Sequence, residues 1–167
     1  MSAVAETAFR EHVRGRLAGL ESALVPVLAQ LVVHEYPSEV VAVDFEIFSD
    51  GFTSRFPVRA FFMDEMNCEH FVYVDGEASY PSPVDPGLLE IDGVYSESVE
   101  EKLFGDNPDV DPWSLATTEL SQWFLACWIN AGGKHFKLAA TIAHHDSSKE
   151  LNLKTGEWQD RGSAFVA

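Results

Sequence analysis

Apolar residues at steps of three and four open the chain. Phe9, Val13, Leu17, Leu20, Leu24, Leu28 and Leu31 form one stripe down a helical cylinder. Pro26 lies inside that stripe and removes a backbone donor, so the spacing predicts a kink, or two helices, near Ser22. Pro37 ends the arm. Over residues 40–48 the period changes to two: Val41, Val43, Phe45 and Ile47 alternate with Asp44 and Glu46, the signature of a half-buried strand. Asp50-Gly51 predicts a tight turn, Val58, Ala60 and Phe62 a returning strand, and residues 71–74 a third that stops at Asp75-Gly76. Such a meander favours antiparallel pairing.

Residues 81–112 break this regularity. Pro81, Pro83, Pro86, Pro108 and Pro112, with Gly87, Gly93 and Gly105, interrupt any long element, leaving short fragments at 88–91 and near 98–104. Asp111-Pro112 then starts a helix, Asp as cap and Pro at the first helical position. Ala116, Leu120, Trp123, Phe124, Cys127, Trp128 and Ala131 make its apolar stripe, widened by Leu125 and Ile129, and Gly132-Gly133 closes it. A helix this apolar belongs at the centre of the core. Strands over 137–144 and 150–153 follow, then a turn at 154–157 into Trp158. The order predicts an α+β fold: a mostly antiparallel sheet of about five strands packed on a long N-terminal helix and a central Trp-rich helix. One domain is expected over 1–167, divided into a helical arm (1–36), a β-meander (37–80), an acidic irregular segment (81–112) and a core helix with C-terminal hairpin (113–167).

Charge changes this picture most. Residues 37–112 hold 18 of the 27 carboxylates against only Arg55, Arg59 and Lys102, which places −15 of the chain's −16 there. The first 36 residues carry −1 and the last 55 balance at zero. Charge this uneven is expected to put a negative field on one part of the surface, attracting basic proteins or metal ions and repelling nucleic acid and anionic lipid. The 46% apolar fraction, with twelve Phe and four Trp, is that of a folded domain. The start lacks the basic and unbroken apolar runs of a signal peptide, and no apolar run approaches the ~20 residues that span a bilayer. Cys68 and Cys127 lie far apart in sequence, so a reduced, cytoplasmic protein without cofactor is the simplest expectation.

Several motifs fail on spacing. His34-Glu35 lacks the second His of a zinc-protease helix. Residues 106–117 place Asp111 and Thr117 where a calcium loop needs Gly and Glu, so a solvated turn capping the next helix accounts for them better. Gly132-Gly133-Lys134 lacks the remainder of a phosphate loop, and no Gly-x-Ser-x-Gly elbow exists. Cys68-Glu69-His70 reads as an ordinary loop. His144-His145-Asp146 is the densest group of possible ligands. On a strand the two imidazoles would point to opposite faces and could not easily share a metal, so one semi-buried His, one exposed His and an Asp opening a turn is the plainer expectation.

The last third of the chain, Trp123-Phe124-Leu125-Ala126-Cys127-Trp128, Gly132-Gly133, Ala143-His144-His145-Asp146, Leu151-Asn152-Leu153 and Thr155-Gly156-Glu157-Trp158, resembles small uncharacterised bacterial α+β proteins. Some of these are similar to immunity proteins encoded beside polymorphic or contact-dependent toxins. The resemblance implies an inhibitor that binds a toxin, and it carries over no catalytic residue. Together with the charge it leads to a non-enzymatic, immunity-type inhibitor of a basic toxin or nuclease. The expected contact residues are Asp85, Glu90, Asp92, Glu97, Glu100, Glu101, Asp106, Asp109 and Asp111, with Tyr95 and Phe104, beside Tyr80, as aromatic anchors. The alternative is a small metal-dependent hydrolase built on His144, His145 and Asp146. A third possibility is an oligomerising domain, including a homodimer, whose charge serves solubility.

Overall fold

A computed structural model describes residues 2–165. Met1, Val166 and Ala167, at the ends of the expected domain, lie outside the described residues. The N-terminal stripe folds as two helices, α1 (Ser2–Ala18) and α2 (Glu21–Val33), bent by 66°. The break falls at Gly19-Leu20, slightly before the expected position. Pro26 is accommodated inside α2, whose buried residues are Leu24, Leu28 and Leu31. No single helix is long and apolar enough to cross a membrane among the described residues.

Strands β1 (Ala42–Ile47) and β2 (Phe56–Met63) pair antiparallel, as the alternation predicts. They are joined by residues 48–55 and not by a tight turn at Asp50-Gly51. The reason is Phe52, which plunges into the core and meets Phe56 edge-on at 5.3 Å. A two-residue turn could not deliver it there.

The third expected strand does not join the meander. β3 (Val72–Val74) and β4 (Glu77–Ser79) form a separate two-stranded hairpin, closed by Asp75-Gly76 with both residues at positive φ. The acidic segment supplies β5 (Leu89–Ile91), an edge strand on β2, and helix α3 (Glu97–Asp106), close to the two predicted fragments. Ser96 caps α3.

Helix α4 (Pro112–Asn130) begins as predicted, with the Asp111 carboxylate accepting from the Trp113 and Ser114 amides at 3.0 and 3.2 Å. Strands β6 (Ala139–His144), β7 (Lys149–Asn152) and β8 (Trp158–Asp160) follow. The α+β class stands, but the main sheet has six strands in the order β5-β2-β1-β6-β7-β8 and is mixed, because β6 runs parallel to β1. A parallel neighbour needs a long crossover, and α4 is what carries the chain back to the start of the sheet.

The core lies on one face of the sheet. Val43, Phe45 and Ile47 of β1 and Ala140 and Ile142 of β6 point into it beside Leu120, Phe124 and Trp128 of α4. Phe45 touches Phe124 and Trp128 at ring distances of 4.8 and 5.5 Å, and Trp128 meets Phe136 at 5.1 Å. One buried charge sits among these apolar layers: Glu119 of α4 accepts from Arg14 at 2.6 and 2.9 Å and from Arg10 at 2.9 Å. Burial alone would raise this carboxyl, but the two guanidinium groups of α1 prevail and hold it below its ordinary value. Its contribution to stability is therefore present at neutral pH and lost as acid protonates it.

Gly133 is required by packing. A Cβ there would lie 2.3 Å from the Trp128 indole, so Ala must displace the largest core side chain or the backbone beneath it. Urea unfolding should show Gly133→Ala destabilised by at least about 2 kcal/mol. Gly15→Ala in α1, with nothing within 4 Å of the added methyl, should instead be neutral or stabilising by up to about 1 kcal/mol.

Candidate functional site

The carboxyl ends of the parallel pair, β1 and β6, finish side by side at Ile47 and His144. In open sheets with parallel strands this is where ligand clefts gather. His144 is the last residue of β6, and the chain turns at His145. Strand alternation therefore stops at this point, and the expectation that the two imidazoles face apart is overturned. Their rings lie 4.5 Å apart, and the possible ligand atoms of His144, His145 and Asp146 fall within 4.8 Å of one another.

Hydrogen bonding decides what these residues can do. His144 Nε2 lies 2.8 Å from the Ser49 carbonyl oxygen, which fixes Nε2 as the donor, while Nδ1 accepts from the Asp146 amide at 3.2 Å. Both nitrogens are thus engaged by backbone. Burial lowers the His144 pKa, and the bond to Ser49 only partly offsets it. His145 places Nδ1 3.1 Å from the Ile47 carbonyl, stacks on Phe48 at 5.3 Å, and turns Nε2 toward Asp146 at 3.3 Å. For a metal, this leaves only His145 Nε2 and the Asp146 carboxylate, which face each other, free of backbone partners, short of the three or four protein ligands zinc takes.

Around this turn lies a cleft of about 520 Å³. Its walls are the 49–52 loop, the turn after β6, the first turns of α4, and Trp158. Two tryptophans, Trp113 and Trp158, stand 50% and 40% exposed on it. Trp113 is held by its indole N–H, which donates to Glu100 of α3 at 3.2 Å. Asp50, Asp111 and Asp146 line the cleft, and its one lysine, Lys149, is ion-paired with Asp160.

The residues expected to contact a partner separate on folding. Tyr95 is corrected outright: it is buried and packs on Phe9 at 4.9 Å, serving the core and unable to anchor anything outside. Glu90 and Asp92 share Arg55 at the β5 edge, and Asp85 accepts from the Gly87 amide in a local turn. Glu97 and Glu100 occupy the first turn of α3, where the helix dipole favours carboxylates. Glu101, Phe104 and Asp106 are exposed along that helix, and Asp109 follows it. Of these, Asp111 lines the cleft and Glu100 touches it only through Trp113.

Of the remaining acids of 37–112, Asp50 joins Asp111 at the cleft, but several others do not gather with these. Asp64, Glu65, Glu69, Asp75 and Glu77 belong to the hairpin region beyond Met63, whereas β5 pairs with the opposite end of β2. At ~3.3 Å per residue those ends are about 23 Å apart. The expected single anionic face is therefore divided.

Another polar constellation, on the sheet face the helices leave uncovered, escaped sequence reasoning. Asp44 accepts from Thr141 Oγ1 at 2.9 Å, and the buried Glu150 accepts from Gln159 Nε2 and the Gly162 amide, both at 2.8 Å. Arg161 pairs with Glu46 beside them, at a cavity of about 300 Å³. Burial pushes the Asp44 carboxyl from 3.8 up to about 6, and its hydrogen bond from Thr141 opposes this only in part. Alternation had placed Asp44 and Glu46 opposite the core. Nothing in the sequence said that Glu150, two strands away, would join them. The cleft tryptophans were equally hidden, since Trp113 had no apolar stripe to mark it and Trp158 read as the end of a hairpin.

No family model, no curated protein and no solved structure matches this chain.

Two measurements follow from these environments. A carboxyl whose folded pKa is raised stabilises the fold below its unfolded value of 3.8 and loses that contribution as pH rises through about 6. Asp44→Asn should therefore flatten the pH dependence of urea stability between those values and raise stability at pH 7 by at most about 3 kcal/mol. Long-range ¹H–¹⁵N spectra should show His144 as the neutral Nε2–H tautomer at pH 7, titrating below its ordinary 6.5.

Proposed function

We propose that this chain is a non-enzymatic acidic binding protein that covers a basic protein surface, in the manner of an immunity-type inhibitor of a toxin or nuclease. The observation that carries the reading is the cleft at the end of β1 and β6. It presents two half-exposed tryptophans rimmed by Asp50, Asp111 and Asp146, with the acidic face of α3 alongside. Exposed tryptophan is the side chain most enriched where binding energy concentrates, and the carboxylates add steering. The engagement of both His144 nitrogens by backbone supports a structural role for that residue. A basic toxin in the cytoplasm, held without a cofactor, is the partner this surface suits.

One observation favours a second reading, a small metal-dependent hydrolase: the convergence of His144, His145 and Asp146. In that case zinc titrated calorimetrically into the protein would bind tightly, and His145→Ala would abolish binding.

Coexpression with the product of a neighbouring toxin-like open reading frame tests the first reading. Growth arrested by that product alone should be restored by this chain, and the purified complex should weaken steeply as salt rises toward about 150 mM, where the screening length falls to ~8 Å. Continued arrest together with no measurable complex at low salt would remove the proposal.

A further inference from the structure

The cleft also indicates which side chain of a partner it would receive. We propose that it is an arginine-binding site, seating a guanidinium group of a basic protein against Trp113 and Trp158, with Asp50, Asp111 and Asp146 as counter-charges. This deepens the binding-protein reading and rests on it.

Three independent features converge. First, there is room: about 520 Å³ of open cleft, larger than one arginine side chain needs. Second, half-exposed indoles are costly to leave facing water, and two of them line this one depression. The Trp113 ring is held in place by its bond to Glu100 and by the capped helix start beneath it, so little ordering is left to be done on binding.

Third, the charge balance of the walls is one-sided. Lys149, their single cation, is neutralised by Asp160. The positive end of α4 is answered too, because Asp111 accepts from the Trp113 and Ser114 amides and leaves no open N–H cradle for an anion. Asp50 and Asp146, with side chains at 105% and 79% exposure, face His145 Nε2 at 4.0 and 3.3 Å and otherwise project into solvent, within reach of a ligand.

Arginine fits this set better than lysine. Its planar guanidinium lies flat on an indole and forks onto a carboxylate at once, while an ammonium is a strongly hydrated point charge. A neutral sugar would also stack on tryptophan and donate its hydroxyls to the carboxylates, but it would leave their negative charge unanswered.

Calorimetric titration with hexa-arginine, hexa-lysine and a neutral hexasaccharide at low salt tests the assignment. Hexa-arginine should bind, with hexa-lysine weaker and the sugar silent. Trp113→Ala and Trp158→Ala should each weaken hexa-arginine about three- to fivefold, the scale of an exposed cation–π contact. Asp50→Asn and Asp146→Asn, both at exposed positions that leave the fold intact, should weaken it comparably. Glu97→Gln with Glu101→Gln on α3 should have less effect. Hexa-arginine affinity unchanged in all four cleft variants would overturn the site while leaving a broader acidic surface in play. No binding of either peptide would overturn the site and the binding-protein reading together. Equal affinity for the two peptides, or binding of the sugar, would overturn the choice of arginine.

Discussion

The parallel pairing of β1 with β6 is the constraint on which the rest of the molecule depends. Two neighbouring strands can run the same way only if the chain returns across the sheet between them, and here the return is α4. Its apolar stripe must then lie over that central pair, which is where Phe124 and Trp128 meet Phe45. Truncating a tryptophan so placed costs about 3–5 kcal/mol, a large part of the stability of any domain this size. The same geometry delivers the first turn of α4 to the carboxyl ends of β1 and β6. The cleft is thus a by-product of the topology, and its residues come from four separate stretches of chain.

Charge segregation along the sequence acquires its meaning only after folding. The chain's cations are mostly spent internally. Arg10 and Arg14 clamp Glu119, Arg16 donates to the Gly93 carbonyl at 3.3 Å, Arg55 bridges Glu90 and Asp92, Arg161 holds Glu46, and Lys149 holds Asp160. Carboxylates outnumber these partners, so what is left over faces solvent. Lys134, Lys137 and Lys154 stand at the opposite end from the cleft, where α4 finishes and β6 begins; Lys154 donates to the Lys137 carbonyl at 3.3 Å. The net charge of −16 is accordingly spread over both ends of the sheet, since Asp64, Glu65 and Glu69 follow the end of β2 that pairs with the start of β1, beside the start of β6.

Local periodicity made some of this legible and long-range geometry hid the rest. The stripes of α2 and α4, the alternation of β1 and the Asp111 cap are decided by neighbours within a few residues, and they could be read directly. The bend between α1 and α2 came out three residues early, because Gly19 yields more readily than the chain around Pro26. Strand β3 was assigned to the wrong sheet, since alternation says that a segment is extended but not what it pairs with. Tyr95 shows the same limit: among charged neighbours it looks like a surface anchor, yet the turn at Gly93 and Val94 draws it under α1 against Phe9. The His144-His145 geometry depended on the strand ending at His144, where the sequence had put its end, so that alternation no longer governed His145.

Both margins of the main sheet are only three residues long, β5 on one side and β8 on the other. β5 carries the Arg55–Glu90 pair and β8 the Lys149–Asp160 pair at those borders. Short, charged borders give an incoming peptide little backbone to zip onto. Adding a strand, one of the commonest ways that sheets take up extended segments, is therefore disfavoured at these borders. The side chains that project from loops and helix ends can therefore change residue by residue without disturbing the scaffold beneath.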